Sequence, residues 1–110
     1  MKRYDPRAVA AASVSANPTR PATAMVHDSP DARLVTFRIE PGQEVAAHTS
    51  PSTVFLVGVE GRGTVSGAEG PVEFGVGDVV AYEPNEIHAM KAGSERFVVL
   101  AVITPRPGSR

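Results

Sequence analysis

Two histidines, His48 and His88, are the side chains of this 110-residue chain best suited to chemistry. His48 follows a turn at Pro41-Gly42 and His88 follows a turn that contains Pro84, so each histidine lies in an extended segment next to a loop. A neutral imidazole binds metal ions and also exchanges protons near pH 7. The residues alone leave two alternatives: a shared site for a metal or ligand, or separate histidines bonded to backbone or water.

The segment around His48 holds one further polar group within reach. Period-2 alternation predicts that Glu44, Ala46, His48 and Ser50 share one face of a strand. At about 3.3 Å per residue, Ser50 lies about 7 Å from His48 and Glu44 about 13 Å away. A serine nucleophile with His48 as its base would also need an oxyanion hole, and the G-x-S-x-G elbow is absent. The sequence therefore does not favour a serine hydrolase.

Short strands must position these residues. The most apolar runs are TVFLVGV at 53–59 and RFVVLAVI at 96–103, and both predict buried strands. Ten glycines and ten prolines are spread through the chain and separate roughly eight to ten short segments of this kind. With no convincing helix, the pattern predicts an all-β fold, an antiparallel β-barrel or jelly roll.

One domain accounts for the length of the chain. The strands predict a barrel over residues 22–104. For residues 1–21 we predict a weakly ordered N-terminal arm, in which Ala8 to Ala12 are able to form one or two helical turns. Residues 105–110 predict a frayed tail.

The spacing of glycine, proline and histidine resembles the two motifs of the cupin superfamily. Gly42, five further residues, His48 and a closing Gly61 match the first motif. Gly77, Pro84 and His88 match the second, and the resembled region covers about residues 33 to 104. The resemblance implies a small single-domain cupin barrel in which His48 and His88 face the interior, close together although 40 residues apart in sequence.

The ligand positions of the family are incomplete. Ser50 stands where the family has a second histidine, Val54 where it has a glutamate, and Glu86 and Ala92 replace a glycine and an asparagine of the second motif. The resemblance implies a divalent metal (Zn, Fe, Mn or Ni) on His48 and His88, but such sites need three or four protein ligands, so we expect metal to bind weakly or not at all. The candidates for a third ligand are His27, Glu86, Glu83 and Asp28.

The predicted function is binding of a small, partly apolar molecule, with a sensing role as one form of it. The pocket would be lined by His48, Ser50, Val54, Tyr82, Glu86 and His88. Two alternatives stay open: a metal-dependent enzyme of the dioxygenase or isomerase type, and a protein-interaction or regulatory module. Phe55 and Met90 are either core residues or part of the pocket wall.

The amino-acid composition limits the kinds of partner that we expect for this protein. Eleven basic against twelve acidic residues give a net charge of −1 with no basic stripe, so nucleic acid is not expected as a partner. The absence of cysteine excludes thiolate chemistry and disulfides. No apolar run approaches the roughly 20 residues of a membrane span, and we expect a cytoplasmic protein without a membrane partner. The strands at 53–59 and 96–103 carry more apolar positions than one barrel interior requires, which predicts a homodimer.

Overall fold

Nine β-strands within residues 1–108 form two antiparallel sheets that pack as a jelly roll, which confirms the predicted fold class. The computed structural model describes residues 1–108. The strands are β1 (Ala22–Asp28), β2 (Arg33–Ile39), β3 (Glu44–His48), β4 (Thr53–Glu60), β5 (Gly63–Gly67), β6 (Gly70–Phe74), β7 (Val79–Tyr82), β8 (His88–Ala92) and β9 (Phe97–Thr104). One sheet has the order β1-β2-β9-β4-β7 and the other β3-β8-β5-β6.

The core lies between the two sheets. Leu56 from β4 and Phe97 from β9 face Val65 from β5 and Met90 from β8, and all four are nearly inaccessible to solvent. Phe74 of β6 closes one side and makes an edge-to-face contact with Phe97, with ring centroids 6.3 Å apart. This packing holds the inner faces of β4 and β8 at fixed positions, and these two strands carry Val54 and His88.

The outer face of the five-stranded sheet is also apolar. Phe55 pairs with Val102 and Val57 pairs with Leu100, one residue out of phase with the inward Val54 and Leu56. These four side chains are half-buried, although they point away from the core. Phe55 is therefore neither a core residue nor part of the pocket wall, and both predictions for it are wrong. Met90 is a core residue.

A short helix, α1 (Pro6–Ala12), lies on one part of that outer face. The Asp5 side chain caps its first turn by accepting the N–H groups of Arg7 and Ala8, and Ala10 is completely buried. Arg38 of β2 donates to the carbonyl oxygen of Ala10 at 2.8 Å and to that of Ser13 at 2.9 Å. The helical turns considered from the sequence are thus present, and the weak order of residues 1–21 stays a prediction. Within residues 1–108, no helix has the length and apolar character of a membrane span.

The beginning of the C-terminal tail is bonded to the barrel. Ser52 donates its hydroxyl to the carbonyl oxygen of Pro105 at 2.6 Å, and the Arg106 amide donates to Pro30. The prediction of a frayed tail over 105–110 also includes residues 109 and 110, which lie outside the described residues.

Candidate functional site

The two histidines stand opposite each other in the four-stranded sheet. His48 at the end of β3 pairs with His88 at the start of β8, and their ring centroids are 4.1 Å apart with an interplanar angle of 66°. His88 is only 5 % exposed, whereas His48 is exposed. One ring therefore lies inside the barrel and the other at its opening.

A β-bulge in β3 brings His48 to this position. Val45 pairs with Met90 and His48 pairs with His88, so three steps along β3 match two steps along β8. A bulge of one residue reverses the faces of all residues beyond it. The prediction of unbroken alternation from Glu44 to Ser50 is wrong for this reason: His48 shares the inward face with Val45.

Each imidazole uses the same nitrogen, Nδ1, to bond the backbone carbonyl two residues before it. His48 Nδ1 lies 2.9 Å from the carbonyl oxygen of Ala46, and His88 Nδ1 lies 3.2 Å from that of Glu86. A carbonyl oxygen only accepts hydrogen bonds, so Nδ1 carries the proton in both rings. In the neutral state each Nε2 then has a free lone pair.

Tyr82 is the third ring of the site. It is buried on β7, opposite Val54 of β4, and its ring centroid is 4.9 Å from that of His88. Its hydroxyl donates to the carbonyl oxygen of Ser66 at 2.9 Å, which joins the two sheets at this end of the barrel. Ser66 was not singled out from the sequence, because the contact joins residues 16 positions apart and uses only a main-chain oxygen.

Burial changes the acid–base properties of both inner rings. Burial lowers the pKa of His88 below its ordinary value, and the neighbouring His48 adds to this effect, while the bond to the Glu86 carbonyl opposes it. Burial also raises the pKa of Tyr82, and the Glu86 carboxylate raises it further. At neutral pH the interior of the site is therefore an uncharged imidazole beside an uncharged phenol.

The loops that carry the two motifs are joined to each other. The amide of Asn85 donates to the carbonyl oxygen of Ser50 at 2.7 Å, and the Ser50 hydroxyl accepts the amide of Ser52 at 3.1 Å. Asn85 takes a φ of 69°, a left-handed conformation that asparagine tolerates. Glu86, which stands in the place of the family glycine, is not among the residues with a positive φ, so a side chain is accommodated there.

His27 is not part of this site. It pairs with Leu34, and Leu34 pairs with Val102, which belongs to the outer face of the five-stranded sheet. Its Nδ1 lies 3.0 Å from the hydroxyl oxygen of Tyr4 in the N-terminal arm. As a candidate third ligand, His27 is therefore on the wrong side of the sheet.

Two of the carboxylates considered as ligands, those of Asp28 and Glu86, have other contacts. Asp28 forms an ion pair with Arg33 at 3.2 Å beside His27. Glu86 accepts the amide of Glu83 at 2.7 Å through Oε1, which orders the loop before His88. Among residues 1–108, no group of three histidine, aspartate or glutamate side chains is placed to hold a metal ion.

Comparison with known protein families identifies the family of this chain. The model of the cupin domain family (Cupin_2) matches residues 35–103. The chain is a cupin. The matched region contains the loops and strands that carry both histidines. A search of curated proteins found no match to the sequence.

Solved structures show the same fold at low sequence identity. TT1209 from Thermus thermophilus is 21 % identical over 97 % of this chain and 100 % of its own, with a TM-score of 0.85. An RmlC-like cupin from Desulfovibrio desulfuricans is 24 % identical over 96 % and 97 %, with a TM-score of 0.80. The DMSP lyase DddQ from Ruegeria pomeroyi is 17 % identical over 93 % and 54 %, with a TM-score of 0.73. At these identities the likeness shows the fold alone.

The donors of this cupin do not fit a resident metal ion. Cupins often bind metals, but here the side chains at the paired positions supply two imidazole Nε2 atoms and no carboxylate. Val54 is 3 % exposed and offers no donor, and the Ser50 hydroxyl is a neutral group already engaged with the Ser52 amide. Two neutral ligands fall short of the three or four protein ligands of a stable site.

Proposed function

We propose that this cupin binds a small, partly apolar molecule at the His48–His88 pair. The observation that carries the proposal is the shared tautomer: both rings bond a backbone carbonyl through Nδ1 and keep Nε2 free. Two adjacent Nε2 acceptors suit a ligand with two hydrogen-bond donors, such as a diol, a primary amide or a phenol with a second hydroxyl.

The surroundings of the pair favour an uncharged ligand group. The lowered pKa of His88 keeps its ring neutral, so a bound anion would gain no ion pair from it. Val54 and Tyr82 add apolar surface on the opposite sheet, where the family has a carboxylate in the place of Val54. A few polar groups set in an apolar wall are typical of small-molecule sites. Sensing is the form of this function that requires no catalytic group.

A fragment screen by NMR tests the proposal. Aromatic alcohols, diols and primary amides are added to the untagged protein, and the ring signals of the histidines are followed. We expect binders that shift the His48 and His88 signals, and that lose affinity in the variants His48→Ala and His88→Asn. The matched control is His27→Asn, because His27 lies on the outer face and its loss leaves the pair intact. Binders that ignore the pair, or affinities unchanged in both variants, would overturn the proposal.

The alternative function is a metal-dependent enzyme, favoured only by the two free Nε2 atoms. Mass spectrometry of the protein purified without tag or chelator measures bound metal directly. Near-stoichiometric metal that disappears in both His48→Ala and His88→Asn would show a metal site at the pair, which this alternative requires. On the proposed function we expect no stoichiometric metal and no thermal shift with Zn²⁺, Fe²⁺, Mn²⁺ or Ni²⁺.

A further inference from the structure

A cavity opens at the side of the barrel, between the edge strands β6 and β7 of the two sheets. Its volume is about 380 Å³, near the lower end of the range of roughly 300–1,000 Å³ for small-molecule sites. Neither His48 nor His88 lines it, and Tyr82, whose ring contacts His88, forms part of its wall. The cavity therefore adjoins the histidine pair and shares Tyr82 with that site, although neither imidazole lines it.

Missing side chains create this space. Ser66 pairs with Ala89, so the next position of the same register places Gly67 beside His88. Gly67 pairs with Gly70, which continues the row to the edge of the sheet. A Cβ at Gly67 would have Tyr82 as its nearest neighbour at 3.7 Å, and a Cβ at Gly70 would meet nothing within 4 Å. Two glycines in one row leave room that side chains would fill.

The walls of the cavity are apolar. Val65 of β5 is buried beneath it, and Val72 of β6 and Val80 of β7 lie on its two sides. Val72 is 54 % exposed, which is high for a valine on an inward-facing register position. An apolar ligand body would cover this exposed surface and gain the free energy of its burial.

The charges at the cavity are of one sign. Glu69 and Glu86 are its charged side chains, and no lysine, arginine or histidine lines it. Among residues 1–108, Glu69 has no ion pair or hydrogen bond, and Glu86 uses only Oε1, for the Glu83 amide. Tyr82, which is 6 % exposed and packs against His88, contributes an aromatic ring to the wall, and aromatic rings attract cations.

We propose that this cavity binds an organic cation with an apolar body, an alkyl- or arylammonium. The apolar part lies on Val65, Val72 and Val80, and the ammonium lies between the Tyr82 ring and the carboxylates of Glu69 and Glu86. This second site goes beyond the proposed function and does not depend on the histidine pair.

The test uses three probes of similar size that differ in charge. Benzyltrimethylammonium is the cation, N-benzylacetamide is an uncharged, water-soluble isostere of similar size, and 3-phenylpropanoate is the anion. Backbone amide signals of Gly67, Gly70 and Tyr82 report binding by NMR titration. We expect a dissociation constant on the order of 1 mM for the cation, since a ligand of this size has few atoms to bury. Binding of the isostere and the anion is expected to be at least about tenfold weaker.

Charge variants separate specific binding from general attraction to an acidic protein. The double variant Glu69→Gln and Glu86→Gln should weaken binding of the cation about tenfold, while glutamine at 86 can still accept the Glu83 amide. The matched control is Glu73→Gln on the same edge strand: Glu73 pairs with Thr64, one residue out of phase with Val72, and points outward. The affinity of Glu73→Gln for benzyltrimethylammonium should stay within about twofold of that of the wild type. Val72→Trp, which fills the cavity from its exposed edge, should abolish binding.

Several results would overturn this proposal without touching the function proposed for the histidines. Equal binding of all three probes, or of the charge double variant and wild type, would show an apolar cavity without selectivity for cations. Shifts that map away from Gly67 and Gly70 would show that the cation binds elsewhere. His48→Ala serves as a cross-check, because it removes the histidine pair but should leave binding of benzyltrimethylammonium unchanged.

Discussion

His88 is a titratable residue held inside the barrel. It is buried, it packs against two other rings, and its Nδ1 is held by a backbone carbonyl. Protonation of its ring would place a charge in the barrel beside Tyr82 and His48. The neutral form is therefore part of the folded state, and folding is linked to pH through this side chain.

We predict that the free energy of unfolding falls as the pH drops below about 6.5, the ordinary pKa of histidine. The pKa of His88 is lowered in the folded state, so within this window the unfolded chain takes up a proton that the folded protein does not. Urea unfolding between pH 8 and pH 5 measures the effect. His88→Asn should show a shallower decline, whereas His27→Asn, which leaves His88 in place, should keep it. If the free energy of unfolding declined equally with pH in wild type and His88→Asn, the pH dependence would not come from His88.

Val54 stands where the first cupin motif has a glutamate. The variant Val54→Glu restores the carboxylate of the family at a position that is 3 % exposed. Without metal, we expect a loss of about 3–5 kcal/mol in the free energy of unfolding, because the new charge is buried without a partner. Saturating Zn²⁺ should recover about 2.7 kcal/mol at a hundredfold excess over its dissociation constant. Thermal unfolding with and without Zn²⁺ measures both effects.

Thr53→Glu is the control for this variant. Thr53 is the neighbour of Val54 on β4 and lies on the other face of the strand. We expect no stabilisation of Thr53→Glu by Zn²⁺. A Val54→Glu protein that is as stable as wild type and indifferent to Zn²⁺ would show that this side chain does not reach the histidine pair.

At the scale of elements, the two turn glycines of the first motif differ in how closely other backbone approaches them. Gly42 and Gly61 both have a positive φ, of 86° and 68°, which favours glycine. A Cβ at Gly42 would meet nothing within 4 Å, whereas a Cβ at Gly61 would overlap the carbonyl oxygen of Arg96. Gly61 thus allows the end of β4 to approach the start of β9, its neighbour inside the larger sheet.

We predict unequal costs for the same substitution at these two glycines. Gly42→Ala should lower the free energy of unfolding by about 1–2 kcal/mol, the cost of a left-handed residue with a side chain. Gly61→Ala should lower it by about 3 kcal/mol or more, because a backbone clash adds to the same cost. Urea unfolding of both variants gives the comparison. Equal losses would mean that the chain near Arg96 moves freely to admit the methyl group.

The strand pattern was predictable from the sequence, but the direction of one side chain was not. The runs at 53–59 and 96–103 became β4 and β9 with bounds shifted by one residue at most. By contrast, the bulge in β3 carries no signal in the residues EVAAH themselves, since small alanines fit either a regular or a bulged strand. The partner strand β8 fixes the register, and with it the face of His48.

At the scale of the whole molecule, the outer face of the five-stranded sheet bears on assembly. Helix α1 covers the part near Ala10, while Phe55, Val57, Leu100 and Val102 form a half-buried apolar surface beside it. A contiguous apolar surface of this kind is typical of an interface. The homodimer expected from the sequence stays a prediction, with this face as its contact.

We predict that the protein in solution has twice the chain mass of 11.5 kDa. Phe55→Arg should convert it to a monomer, because a charge at the centre of the contact loses its hydration. Size exclusion with light scattering measures the mass. Val76→Arg is the control, since Val76 is 68 % exposed in the turn between β6 and β7. A wild-type mass of one chain, or dissociation by both variants alike, would contradict the dimer.

The fold class, the positions of the strands along the chain and the two loops that carry His48 and His88 could all be predicted from the sequence alone. These features follow from local alternation and turn residues, which act over a few positions along the chain. The tertiary structure was needed to show that the two rings meet, that His27 lies on the opposite face of a sheet, and that Gly67 and Gly70 leave a cavity beside Tyr82. Each of these depends on which strand pairs with which and in what register, and that is set by contacts between residues distant in the chain.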